Sequence, residues 1–380
     1  YKTISCVLFF ILFHLSFFTF LFSLPSAYAS EWKQAVSDRV WSFPNDHGNH
    51  PEYRTEWWYF TGNIRDEAGN RYGYQLTFFR QGIEHPSNKN IKLQKKDNPW
   101  SIRDVYLGHF ALTDIEKKHF WYVDRTSRSG PKLAGADTEK MDVHILNWSA
   151  RMDNRTIKIN AKHQGMEINL ALVPRKPVVF NGENGLSRKG PEKGQSSYYY
   201  SFTDLESKGT IKTPLNKHAS NVKGISWFDH EFGSNQLSSK QLGWDWFSIH
   251  LSDGKDIMVY FIRKKDNSIE AASSGTLIEK NGFSRHLRLS DIVLDVLERW
   301  KSPKTNGVYP AKWRMRIPSA GIDINIIPSV ANQELITESS TGVTYWEGAV
   351  EGKGLSGGKP VTIEGYVELT GYAGSLAGLF

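Results

Sequence analysis

The sequence predicts an all-β protein made of two tandem antiparallel β-barrel domains that arose by internal duplication. Three observations lead there. Runs of alternating or aromatic residues are broken by turn-forming clusters such as DEAGN (66–70), SDGKD (252–256) and EKNGF (279–283). Aromatic residues are unusually abundant, with 13 Trp, 16 Tyr and 21 Phe in 380 residues. The two halves of the chain also resemble each other segment by segment.

The N-terminal element is not part of either barrel. Lys2 precedes an apolar run from Ile4 to Leu24, followed by Pro25 and the small-residue pattern Ala27-Tyr28-Ala29. This is the layout of a signal peptide cleaved after Ala29, and it predicts a periplasmic or secreted protein. An uncleaved membrane anchor is the competing reading, since the run is near spanning length. The only cysteine, Cys6, lies inside this segment, so the exported chain must hold its fold without disulfides. Lys2 is the only charge lost on cleavage, which leaves a net charge of +6 spread among mixed acids and bases. That pattern predicts a solvated surface, with no nucleic-acid patch and at most peripheral contact with a membrane or envelope proteins.

The remainder of the chain is organised by the repeat. Residues 57–80 read like residues 244–263: each has two Trp near the start, a polar turn, and an aromatic strand ending in Arg. Residues 111–120 match 275–284, 199–209 match 345–354, and 223–233 match 364–372. WSARM (148–152) with GMEINLALVP (165–174) matches WRMRI (313–317) with GIDINIIP (321–328). The common order of the matches points to duplication. A unit of roughly 160–190 residues suits a lipocalin-like barrel, which removes sheet edges and can hold a ligand. The expected domains are 30–215 and 216–380, with TPLNKHASN (213–221) as the linker and LSRKGPEKGQSS (186–197) as an exposed loop. Only SDIVLDVLERW (290–300) has helical spacing, and its Ile292, Leu294 and Val296 also suit a strand.

Common catalytic signatures are absent: there is no G-x-S-x-G elbow, P-loop, G-x-G-x-x-G or H-E-x-x-H. An S-x-x-K match at Ser252–Lys255 falls on a turn and carries nothing. The sharpest polar cluster is WFDHEFG (227–233), whose Asp229, His230 and Glu231 have no full counterpart in the second copy. Alternation sends Asp229 and Glu231 to one face, and His230 to the other with Phe228 and Phe232. These three are the catalytic candidates, set against a polar strand end held by hydrogen bonds.

The substrate-binding candidates are Glu56, Trp57 and Trp58 of EWWYFTG, Tyr199 of the Tyr198–Tyr200 run, Trp227, Trp244, Asp245 and Trp246 of GWDW, and Tyr260. Glu56 shares a face with Trp58 and Phe60. In an apolar interior its pKa would rise and it could donate a proton; an Arg partner such as Arg80 or Arg263 would instead make it a structural ion pair. One alternation phase turns Trp244 and Trp246 inward and Asp245 outward. Asp46, His47 and His50 form D-H-x-x-H, too few ligands to assign a metal, and none is expected. His109 and His250 sit in strand-like runs, where a histidine is ordinarily structural.

Several blocks together carry a resemblance: DHGNHPEYRTEWWYFTGNI (46–64), GISWFDHEFGS (224–234), GWDWFSIHLSDGKDIMVYFIR (243–263), YWEGAV (345–350) and GYVELTGY (365–372). They resemble the AttH-like exported proteins of the carotenoid 1,2-hydratase (CrtC) superfamily, often labelled secreted hydrolases. The resemblance implies two lipocalin-like barrels and an acid–base role for Asp229 or His230. It also implies chemistry without a cofactor on an apolar small molecule, as carotenoid hydratases add water to an isoprenoid double bond. The strand VYFIR (259–263) has no carboxylate to act as a second acid. The expected function is thus an exported hydratase or lyase acting on an isoprenoid or acyl substrate. A lipid carrier without catalysis and a secreted hydrolase, metal-dependent through His47, His50 and His230, are the alternatives. Aromatic walls would suit catalyst and carrier alike, because they stabilise a cation and also line passive ligand sites.

Overall fold

The computed structural model describes residues 32–86, 102–235 and 237–374. The expected signal peptide 1–29 lies outside them. No helix among the described residues is long and apolar enough to cross a membrane.

The first sheet has thirteen strands. In chain order they are β1 (Thr55–Asp66), β2 (Arg71–Gly82), β3 (Asp104–Asp114), β4 (His119–Arg128), β5 (Ala134–Ala136), β6 (Asp142–Ile145) and β7 (Trp148–Asp153). Then come β8 (Thr156–His163), β9 (Met166–Pro174), β10 (Val179–Phe180), β11 (Leu186–Arg188), β12 (Ser196–Lys212) and β13 (Ser220–Asn235). The spatial order is β4-β3-β2-β1-β13-β12-β9-β8-β7-β6-β5, with β10 and β11 on β12. Near the far end β6 comes back against β2, β3 and β4, so the barrel is nearly closed.

The second sheet contains β14 (Gln241–Leu251), β15 (Asp256–Lys264), β16 (Ser274–Ile278), β17 (Ser284–Arg288) and β18 (Val293–Lys301). It continues with β19 (Val308–Ile317), β20 (Ile322–Pro328), β21 (Glu334–Ile336), β22 (Thr344–Ser356) and β23 (Lys359–Thr370). Its order, β17-β16-β15-β14-β23-β22-β20-β19-β18, repeats that of the first sheet, but it forms only a half-barrel. By position, β1 corresponds to β14, β13 to β23 and β12 to β22. The WSARM–WRMRI match is displaced by one strand, since Trp148 lies on β7 whereas Trp313 lies on the counterpart of β8.

Three sequence expectations change here. Residues 213–219 form the turn between β12 and β13 of the same sheet, and Ser220 and Asn221 already belong to β13. The passage to the second sheet therefore falls between Asn235 and Gln241, rather than at 215/216. The 186–197 segment is not an exposed loop: β11 pairs with β12, and Ser187 and Lys189 are buried. The 290–300 segment is mostly the edge strand β18, whose Val293, Val296 and Leu297 stay exposed because no element covers them as a helix face would require.

Both sheet interiors are filled. In the first, alternation turns Trp58, Phe60, Tyr200, Phe202 and Phe228 inward against Ile157, Ile159, Leu170 and Leu172. In the second, Phe247, Ile249 and Val259 pack on Trp313, Met315 and Ile324. Neither half is a hollow cup. A third cluster, with Tyr59, Tyr199, Trp227, Trp246, Tyr260 and Tyr345 among its members, lies at the seam where the outer faces of the two sheets meet. The approach there is close: a Cβ on Gly73 of β2 would sit 2.5 Å from the Tyr366 hydroxyl of β23.

Candidate functional site

The seam holds a partly open, largely apolar cavity of about 100 Å³, walled by Trp57, Tyr59, Phe79, Tyr199, Trp244 and Trp246 together with Tyr260, Ile262 and Tyr345. Four carboxyl groups join that wall, two from each half: Asp229 and Glu231 on β13, Glu347 on β22 and Glu368 on β23.

Strand alternation sorts the WFDHEFG block as its sequence requires. Asp229 Oδ1 accepts from Ser201 Oγ at 2.5 Å and Trp227 Nε1 at 2.6 Å, while Oδ2 accepts from Tyr199 Oη at 2.6 Å. The Tyr199 hydroxyl accepts in turn from Trp246 Nε1 of the second sheet at 3.1 Å. Burial raises the Asp229 pKa to about 7, against the pull of those three donors. Glu231 pairs with Lys189 at 2.9 Å and accepts from Ser197 Oγ. The Lys189 ammonium lies 4.3 Å from the centre of the Tyr260 ring. Burial alone would lower the Lys189 pKa, but the Glu231 charge beside it leaves it raised.

Glu368 accepts from Trp244 Nε1 at 2.7 Å. Burial, reinforced by the Asp229 and Glu231 charges, raises its pKa to about 7. Glu347 Oε1 accepts from Tyr59 Oη at 2.6 Å. Its pKa is pushed well above the usual carboxylate range, first by burial and then by Glu368. His109 lines the same wall, bonded through Nδ1 to Tyr345 Oη at 2.6 Å, and burial lowers its pKa to about 3, leaving a neutral imidazole. Such a site can give and accept protons near neutral pH beside a desolvated aromatic wall.

Of the residues singled out in the sequence, the cavity brings together Trp57, Tyr199, Asp229, Glu231, Trp244, Trp246 and Tyr260. Trp227 stands behind them, holding Asp229. Four others lie elsewhere. Trp58 points into the first barrel, where its Nε1 donates to the His47 carbonyl. His230 is on that same face, stacked on Trp58 at 4.9 Å between ring centres. Glu56 is a structural ion: Oε1 meets His50 Nδ1 at 2.7 Å and His230 Nε2 at 2.9 Å, and Oε2 meets Arg80 Nε at 3.3 Å. Burial would raise its pKa, yet His50, His230 and Arg80 hold it below the usual range. Asp245 faces the second core and pairs with Arg263 at 2.9 Å and Tyr372 at 2.9 Å.

His50, Glu56 and His230 have ligand atoms within 4.8 Å of one another. Both imidazole nitrogens are already spent on a single Glu56 oxygen, and the guanidinium of Arg80 occupies the other, a poor setting for a cation. His47 is not in this group, since its Nδ1 meets Tyr200 Oη at 2.7 Å.

Tyr59, Lys189, Glu347 and Glu368 were not legible as site residues. One signal was available for Glu368: the repeat aligns it with Asp229, so both copies present an acid at the same strand position.

Known structures share this architecture. A candidate AttH from Nitrosomonas europaea is 30% identical, with 90% of this chain and 99% of that chain covered at a TM-score of 0.77. Kievitone hydratase from Nectria haematococca is 16% identical, covering 91% and 97%, with a TM-score of 0.66. CghA, solved with Sch210972, is 12% identical, covering 89% and 95%, with a TM-score of 0.50. Below 25% identity the last two speak for the fold alone. Comparison with curated proteins gives no match. The AttH-like family matches residues 34–372, and the chain belongs to that family.

Proposed function

We propose that the protein is a hydratase or lyase that acts, without a cofactor, on an apolar isoprenoid or acyl substrate held at the seam. The observation that carries this reading is the set of buried carboxyls from both halves, Asp229 and Glu368 with pKa near 7, facing an aromatic cavity. A group titrating near ambient pH is matched to general acid–base work. Hydration needs a neutral acid whose proton adds to one alkene carbon, and a carboxylate that takes a proton as water adds to the other. Between those events a carbocation faces the indole and phenol rings, which stabilise positive charge by about 2 kcal/mol or more when desolvated. The cavity volume is comparable with sites that admit a single small ring, and the cavity is partly open, so it suits the reacting end of a longer molecule. The reaction class is also the one in the name of kievitone hydratase.

Native mass spectrometry with lipid extraction, on protein from its own envelope, would identify the bound compound. With it, Asp229→Asn is expected to lose ~10²–10⁴-fold in turnover while affinity changes a few-fold. Unchanged ligand affinity with no turnover by the native protein would instead establish a carrier. Cleavage after Ala29 predicts a purified N-terminus at Ser30; an intact leader on the envelope protein would refute cleavage and favour a membrane anchor.

A further inference from the structure

Glu347 on β22 and Glu368 on β23 are direct register partners across an antiparallel pair. Both line the cavity, so they share one face of the sheet. Opposed residues on one face have Cβ atoms about 5 Å apart, and like charges there repel. Two ionised carboxylates at this spacing would need a counter-cation. The nearest ammonium on the wall, Lys189, is already matched to Glu231 at 2.9 Å. The other titratable groups on the wall are Tyr59, Tyr199, Tyr260, Tyr345, neutral His109 and the acidic Asp229 and Glu231; none supplies a positive charge.

One carboxyl must therefore keep its proton, and the hydrogen bonds indicate which. Glu368 accepts the Trp244 indole N–H at 2.7 Å, and neither of its oxygens is buried without a partner among the described residues. Glu347 accepts one hydrogen bond, on Oε1 from Tyr59. Its Oε2 has no hydrogen-bond partner among the described residues, although the side chain is only 1% exposed. An unpaired oxygen of an ionised carboxylate there would be costly, and the neutral acid costs far less.

We infer that Glu347 and Glu368 hold one proton between them and that Glu347, through Oε2, is the proton donor to the substrate. This role rests on the hydratase reading. In the forward step the Glu347 O–H bond breaks and the alkene π electrons form the new C–H bond. Water adds its oxygen to the adjacent cationic carbon, and the proton it sheds goes to the Asp229 carboxylate on the opposite wall. Return of a proton from Asp229 to the Glu347–Glu368 pair completes the cycle, with one water consumed.

Infrared difference spectroscopy tests the shared proton without any turnover. Well above pH 7, where Asp229 and Glu368 have ionised, the wild type should still show a protonated-carboxyl C=O stretch that shifts in D₂O and is lost in Glu347→Gln. In Glu368→Gln the band should remain but ionise at lower pH, because a like charge has gone. A wild type without such a band, or a Glu347→Gln spectrum that retains it in full, overturns the inference. The wild-type measurement stands even if a variant fails to fold. The donor role is read separately: Glu347→Gln should lower turnover of the extracted compound by ~10²–10⁴-fold. Full turnover in that variant removes the donor role and leaves hydration by Asp229 standing. A confirmed band with no turnover by the wild type removes the hydratase reading and the donor role together.

Discussion

Tyr59 of the first sheet and Glu347 of the second share a 2.6 Å hydrogen bond across the seam. The tyrosine is the one donor given to that carboxyl among the described residues, and it also lies against Trp246, 5.2 Å between ring centres. A single residue thus ties a buried acid of one half to an aromatic wall built by both.

Tyr59→Phe should expose that dependence. Loss of the hydroxyl leaves a buried acceptor unpaired, at a cost of about 1–3 kcal/mol. The lost bond also stabilised the ionised form of Glu347, so its ionisation should move to still higher pH. Denaturant unfolding measures the first effect and the infrared titration the second. Unchanged stability would mean the bond contributes nothing.

Asp229 predicts a pH effect on stability with a definite sign. Its folded pKa, about 7, lies above the ordinary value of 3.8. Between those values the folded state keeps a proton that the unfolded state has released, so this group's contribution falls as pH rises from about 4 to about 7. Glu368 acts in the same direction. Asp229→Asn should flatten the wild-type slope over that window, measured as unfolding free energy at several pH values. An identical slope would contradict the pKa assignment.

The Glu56 network predicts the opposite dependence. Its folded pKa is lowered, so its stabilisation is present above the ordinary carboxylate pKa and is lost as pH falls below it. Removal of the charge by Glu56→Gln leaves Arg80 with Asp104, at 2.7 Å, as its remaining acidic partner, and should cost about 1–3 kcal/mol. The cavity lies on the other face of β1, so ligand affinity of the folded variant should hold. A large affinity loss at constant stability would place Glu56 in the site after all.

Strand chemistry was readable because it is local. Period-two alternation alone separated Asp229 and Glu231 from His230, and the segment matches revealed the duplicated strand order. The side on which the ligand would sit was not readable. In EWWYFTG both faces are aromatic, so nothing local shows that Trp58 and Phe60 fill the barrel while Trp57 and Tyr59 face the seam. Glu347 and Glu368 lie on separate strands, and only register makes them neighbours. In the 290–300 segment, helical spacing of a few aliphatics was overridden by sheet pairing with β19.

The chain passes between the two sheets once, between Asn235 and Gln241. Everything else joining them is noncovalent, including ring contacts, the Tyr59–Glu347 and Trp246–Tyr199 bonds, and the Lys176–Asp256 and Arg71–Glu351 pairs. The protein is therefore built as a heterodimer whose two subunits happen to share one peptide. Cut within that crossing, the fragments should reassociate when co-expressed, and neither fragment alone would own a complete cavity.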